Sequence, residues 1–132
     1  MIVDSSALVA ILRREPEMQK FARALLDATE VQISAATYFE TSIVIDSARD
    51  PITSRMLDDL VLNSKIAIEP VTAEQARIAR QAYRDFGKGS GHPAQLNFGD
   101  CFSYALARVK REPLLYKGND FVHTDVRAAV KL

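Results

Sequence analysis

The chain has 132 residues, 48% of them apolar and 26% charged, with 17 basic side chains against 17 acidic ones and a single cysteine. That length suits one domain with a real core, and no apolar run approaches the ~18 residues that span a bilayer. A net charge of zero excludes a general electrostatic pull on nucleic acid, so any hold on RNA or DNA has to come from a local basic surface or a bound cation. A lone Cys101 excludes an internal disulfide and fits a reducing compartment. The first residues lack the basic-then-apolar pattern of a secretion signal, so the expected location is cytoplasmic.

Along the chain, "MIV" predicts a short buried strand. "PEMQKFARALLDA" sets Met18, Phe21, Ala22, Leu25 and Leu26 at helical spacing. "VQIS" predicts a second strand, followed by helices in "AATYFETSIVIDSAR" and "TSRMLDDLVLNS". "IAIEPV" predicts a third strand, ended by Pro70. In "TAEQARIARQAYRDF" Thr72 stands as N-cap with Gln75 three residues on. "GKGSGHPAQLN" reads as a glycine-rich loop, "FGDCFSYALARVKR" as a helix and "PLLYKGNDF" as a strand with a turn. "VRAAVKL" predicts a last edge strand. Short apolar strands alternating with helices define a mainly parallel sheet of four or five strands with helices on both faces, in one domain over residues 1–132.

Four carboxylates fall where these elements begin or end. Asp4 follows "MIV", Glu40 lies in the first turns after "VQIS", Asp100 opens its helix and Asp120 follows "PLLY". In a parallel α/β sheet the strand C-termini and the helix N-termini share one edge, so these residues can converge. Each also has a local explanation. Asp4 can cap the next helix, Thr37 with Glu40 and Asn97 with Asp100 fit capping boxes, and Asp120 can shape a turn. Taken as a set, converging carboxylates repel one another, and a hard divalent cation such as Mg²⁺ or Mn²⁺ removes that cost. Such a site is suited to phosphodiester chemistry with water as nucleophile.

"MIVDSSALVAIL", "SAATYFETSIVI", "GKGSGHPAQLNFGDCFSYALA" and "PLLYKGNDFVHTD" together resemble a PIN-domain ribonuclease of the VapC toxin type, over nearly the whole chain. The resemblance implies a three-layer α/β/α domain and a Mg²⁺- or Mn²⁺-dependent endoribonuclease, the toxin of a type II toxin–antitoxin pair. It places the family's acidic positions on Asp4, Glu40, Asp100 and Asp120, with Asp4, Asp100 and Asp120 as metal ligands. Ser6 falls beside the metal, Ser5 only begins the helix, and Asp125 is the reserve for the fourth acid. It also implies a homodimer and a small VapB-like antitoxin that occupies the active-site groove with a basic side chain, in a heterotetramer or larger assembly.

Substrate grip has to come from local groups, and Lys117, Lys88 and His92 are the expected RNA contacts, with Arg13 and Arg14 more ordinary surface charges. A metal-free mechanism on the two histidines, His92 and His123, lacks a visible pairing. A receiver-like signalling domain needs a paired acid after the first strand, and Asp4 stands alone there. A haloacid-dehalogenase-type phosphatase needs a second Asp where this chain has Ser6. A PIN domain reduced to a binding module would have no need of all four acids.

Overall fold

In the computed structural model, which describes residues 1–132, four short strands form one parallel sheet. The strands are β1 (Ile2–Val3), β2 (Val31–Ser34), β3 (Ile66–Glu69) and β4 (Leu114–Leu115), in the order β3-β2-β1-β4. The helices are α1 (Ser5–Leu12), α2 (Met18–Asp27), α3 (Ala35–Asp46), α4 (Pro51–Asn63), α5 (Ala73–Phe86) and α6 (Phe98–Lys110), with a short 3₁₀ turn at Phe121–His123.

The pleat of the central strands sorts their side chains between two cores. Ile2 and Leu114 face one way, into a cluster with Ala79 and Ala82 of α5 and Tyr104, Ala105 and Leu106 of α6. Val3 and Leu115 face the other way, into a cluster with Leu8, Phe21, Leu25, Val31 and Ile33. Ile2 pairs Leu114 and Val3 pairs Leu115, and all four are fully buried. A two-residue strand with both side chains buried between helical layers reads in sequence as a bare apolar run, as "MIV" does. Each such side chain contributes about 1.5–3 kcal/mol of burial free energy, so these four residues anchor the layers out of proportion to their number.

The sheet has four strands, and the predicted edge strand at "VRAAVKL" is reduced to a single bridge between Leu114 and Ala128. The amide of Leu114 donates to Arg127 and that of Ala129 donates to Leu114, both at 2.8 Å, after which the chain leaves the ladder. Cover is also uneven. β3 is an edge strand with Ala67 and Ile68 exposed, and the core under α5 and α6 takes its strand side chains from β1 and β4.

Strand order determines where a crevice opens. From β1 the chain runs outward to β2 and β3, then returns to the other side of β1 for β4. The direction reverses at β1, and ligands of open α/β sheets bind beyond the strand C-termini at such a reversal. Asp4 is the residue at that point.

Candidate active site

Asp4 leaves β1 with its amide donating to the carbonyl of Leu115 at 2.9 Å, so it is still held by the ladder. It is also the N-cap of α1, where its extended backbone lets Oδ2 accept the amide of Ser6 at 3.0 Å. The Ser6 hydroxyl donates to the same oxygen at 2.7 Å, and the Ser103 hydroxyl donates to Oδ1 at 2.5 Å. A carboxylate has about four acceptor sites, so three donors hold Asp4 in one orientation and leave room for one further partner. Asp4 is only 3% exposed, a burial that three charge-assisted hydrogen bonds make tolerable. Capping and site roles therefore coexist in this residue.

Ser6 links two strand ends. Its hydroxyl donates to Asp4 and accepts the amide of Lys117, from the loop after β4, at 2.9 Å. Gly118 follows with φ +105°, a left-handed turn that glycine adopts without strain. That turn carries the chain to Asp120, which is exposed and lies close enough to Asp100 to disturb its ionisation.

Asp100 closes a reciprocal capping box with Asn97: each side chain accepts the other's amide, at 2.9 and 3.0 Å. Burial, followed by the charges of Asp4 and Asp120, pushes its pKa up to about 7 against the opposing effect of the Asn97 amide. Glu40 sits a turn and a half into α3. The helix is capped by Ser34, so Thr37 and Glu40 do not form the capping box their spacing suggested. The Glu40 pKa is also raised, chiefly by burial and further by Asp4, while a hydrogen bond from Ser5 opposes it. Ser5 does more than begin a helix: its hydroxyl donates to Glu40 Oε1 at 2.9 Å. Gly99 completes the arrangement, because a Cβ there would lie 1.9 Å from Glu40 Oε2.

Asp4, Glu40, Asp100 and Asp120 thus gather at one edge, linked by mutual charge effects, and none of them has a Lys or Arg partner. Asp125, the reserve acid, stands apart. It pairs with Arg108 and accepts the Tyr104 hydroxyl at 2.6 Å. No three His, Cys, Asp or Glu side chains close around one point as they stand. The donors on offer are carboxylate oxygens, the ligands a hard cation such as Mg²⁺ takes in ones and twos alongside several waters.

Two of the expected RNA contacts are otherwise engaged. The Lys117 ammonium bridges Glu15 at 2.9 Å and Glu17 at 3.0 Å, so its charge is already matched, and its amide is what serves the site. His92 Nδ1 accepts the amide of Ala94 at 3.1 Å, and its ring meets Phe86 edge-on at 4.9 Å, which makes it a brace of the glycine-rich loop. Lys88 is exposed and unpaired. Cys101 is buried, with burial pushing its thiol up to about 11, as befits a small apolar residue of the core.

Ser103 is the site residue that pattern reading missed. It is fully buried, donates to Asp4 and lies 3.2 Å from the Thr37 hydroxyl, so it ties α6 and α3 to the end of β1. Its position three residues after Asp100, on the same helical face, was the available signal.

A parallel α/β/α sheet with acids gathered at its reversal point defines the PIN-domain class, and the family model described as PIN domain matches residues 1–127. Among curated proteins the chain is 59% identical to Ribonuclease VapC28 of Mycobacterium tuberculosis over 130 residues, covering 98% of each chain. It is 50% identical to Ribonuclease VapC42 of the same species over 129 residues, again covering 98% of each. The chain belongs to the VapC ribonucleases of the PIN-domain family. Solved structures agree on the fold. Mycobacterium tuberculosis VapC20, described as a sarcin-ricin loop cleaving toxin, superposes with a TM-score of 0.70 at 20% identity, covering 96% of this chain and 98% of that one. A toxin–antitoxin complex from Klebsiella pneumoniae gives 0.72 at 15% identity, covering 99% and 98%.

Proposed function

We propose that this chain is a Mg²⁺- or Mn²⁺-dependent endoribonuclease, the toxin of a toxin–antitoxin pair, working through Asp4, Glu40, Asp100 and Asp120. The observation that carries the reading is that four gathered acids have no protein cation beside them, while the nearby Lys117 ammonium is taken by Glu15 and Glu17. Asp4 and Asp100 are the acids oriented to hold the ion, directly or through water, with Asp120 completing the site. Bound there, the ion supplies a more acidic water and offsets charge on the scissile phosphate.

The chain's own groups then have distinct tasks. Ser6 and Ser103 fix the Asp4 carboxylate, so it does not have to be reoriented when the site is loaded. Glu40 Oε1 is occupied by Ser5, which leaves Oε2 to orient the attacking water and accept its proton. Burial raises its pKa from the ordinary glutamate value, the direction that suits a proton acceptor. Asn97 keeps Asp100 directed at the edge while its neighbours favour protonation.

The same four acids suit a cationic side chain from an antitoxin, which would occupy the place of the metal and silence the enzyme. A homodimer is the expected state of the toxin. No helix is long and apolar enough to cross a membrane. The direct test is cleavage of total RNA by the purified chain with Mg²⁺, with EDTA, and with Asp4→Ala. Cleavage only by the wild type with Mg²⁺ supports the reading, and full cleavage in EDTA or by Asp4→Ala overturns it. Copurification with a small co-encoded protein, and its release of activity on removal, tests the toxin assignment.

A further inference from the structure

The loop that carries the chain from β4 to Asp120 depends on one residue. It runs between buried Leu115 and buried Phe121, and residues 118–120 are exposed. The rings of Tyr116 and Phe121, 5.1 Å apart, close its base. Beyond that contact, Lys117 alone makes the hydrogen bonds and ion pairs of residues 116–119. Gly118 follows with open space where a Cβ would lie, so packing does not hold the turn there.

The seat that receives the Lys117 ammonium is firmly built. Glu15 and Glu17 flank Pro16 in the turn between α1 and α2. The Glu15 amide donates to the carbonyl of Ala10 at 2.9 Å, and its carbonyl accepts the amide of Met18 at 2.9 Å. The Glu17 carbonyl accepts the amide of Phe21 at 3.0 Å. Glu17 Oε2 is buried without a hydrogen-bond partner, and the ammonium 3.0 Å away is what offsets its charge. Two carboxylates that meet at one ammonium repel each other without it. Seat and loop therefore each need Lys117.

We propose that Glu15, Lys117 and Glu17 form a clamp that positions the carboxylates of the acidic edge. The inference rests on the metal-dependent ribonuclease reading and adds a positioning residue to it. The clamped Lys117 donates its amide to the Ser6 hydroxyl at 2.9 Å, so the single proton of that hydroxyl is directed to Asp4 Oδ2, 2.7 Å away. The same backbone then turns through Gly118 to Asp120. An ammonium shared by two carboxylates is not free for a phosphate, so Lys117 serves the acids and not the strand. Charge alone predicts the opposite sign. Removing a cation from the surroundings of an acidic site strengthens its attraction for a divalent ion, whereas loss of a clamp weakens it.

The test is the Mn²⁺ affinity of the full chain, read by calorimetry without RNA. Lys117→Met should weaken binding by about 10- to 100-fold, the range of residues that orient metal ligands. Lys117→Arg should recover most of the loss, and in cleavage assays Lys117→Met should lower kcat while KM for RNA holds. Lys117→Met combined with Glu17→Gln keeps the net charge and removes the repulsion in the seat, and it should show the same loss. Arg23→Gln opens the exposed Arg23–Asp27 pair of α2 and should leave affinity unchanged. Unchanged or tighter Mn²⁺ binding by Lys117→Met overturns the proposal, and so does recovery in the double variant, which makes repulsion the cause. A loss of single-stranded RNA affinity in EDTA with Mn²⁺ binding intact overturns it too, because Lys117 is then a phosphate contact. The two readings fail separately. A wild-type chain that binds Mn²⁺ and cleaves RNA whatever stands at position 117 removes the clamp alone, whereas Lys117-dependent Mn²⁺ binding without cleavage removes the nuclease alone.

Discussion

Two groups of acids in this fold are treated in opposite ways. Glu15 and Glu17 share the Lys117 ammonium, and Asp125 pairs with Arg108. Asp4, Glu40, Asp100 and Asp120 receive hydroxyl and amide donors, or stand exposed, and have no cation at all. A structural acid is satisfied by the protein that carries it. On the proposed reading, an acid held in place by neutral donors, with its charge left unmatched among other acids, is kept for a cation from outside. Lys117 shows how finely the two are divided: its side chain serves the first group while its amide, through Ser6, serves the second.

Substitutions can break that contrast. Asp100→Asn removes a charge from the unmatched group while preserving an acceptor for Asn97, and cleavage should fall by about 100-fold or more, since even residues that merely orient a metal ligand are worth 10–100-fold. Asp125→Asn is the counterpart in the matched group. It should leave cleavage within about twofold and cost roughly 0–1 kcal/mol of stability, the range of a half-exposed ion pair. If Asp125→Asn proves as damaging as Asp100→Asn in a cleavage assay, the division between the groups is wrong.

Ser103→Ala tests whether the neutral donors matter. It deprives Asp4 Oδ1 of its donor, and cleavage should fall by roughly 10–100-fold with a higher Mg²⁺ requirement. Gly99→Ala should act more gently, by about 10-fold if Glu40 behaves as a positioned general base. The new methyl displaces the end of the flexible Glu40 side chain rather than backbone, so thermal stability should hold or rise as alanine replaces glycine in a helix. A Gly99→Ala chain with unchanged cleavage would mean that Glu40 does not need its present position.

The smallest effect is on stability against pH. Folding raises the Asp100 pKa from 3.8 to about 7, so the folded chain binds a proton that the unfolded chain has already lost. Stability from this group therefore falls as pH rises from about 4 to about 7, and the penalty is complete above that. In EDTA, Asp100→Asn should melt about 2–6 °C above the wild type at pH 8 and level with it near pH 3. Calorimetric scans across that range supply the check, and a variant less stable at pH 8 would contradict the sign.

Much of this arrangement is legible in the sequence, because the side chains of each core element recur with the period of that element. The strand at Ile2–Val3, the Thr72 cap, the Asn97–Asp100 box and the placing of four acids at element ends all follow from local pattern. What pattern could not supply depends on partners far along the chain. Ser103 looks like one more helix residue until the fold sets it against Asp4, 99 positions away. Lys117 looks like a free cation until α2 brings in Glu17 and its preceding turn brings in Glu15. The predicted strand at "VRAAVKL" fails because only Ala128 meets β4 before the chain turns off. Long-range partners decide whether a charge is spent or free, and that distinction defines the site.

The central claim is that the unmatched acids await a divalent cation, and proton release measures this directly. With its pKa near 7, Asp100 is partly protonated in the metal-free chain at neutral pH, and an ion bound among these acids has to expel that proton. Titrating Mg²⁺ or Mn²⁺ into the full chain at pH 7, by calorimetry in two buffers of different ionisation enthalpy, should show a fraction of a proton released per ion bound, and Asp100→Asn should abolish that release. Binding heats that are the same in both buffers, or proton release unaffected by Asp100→Asn, would contradict the account.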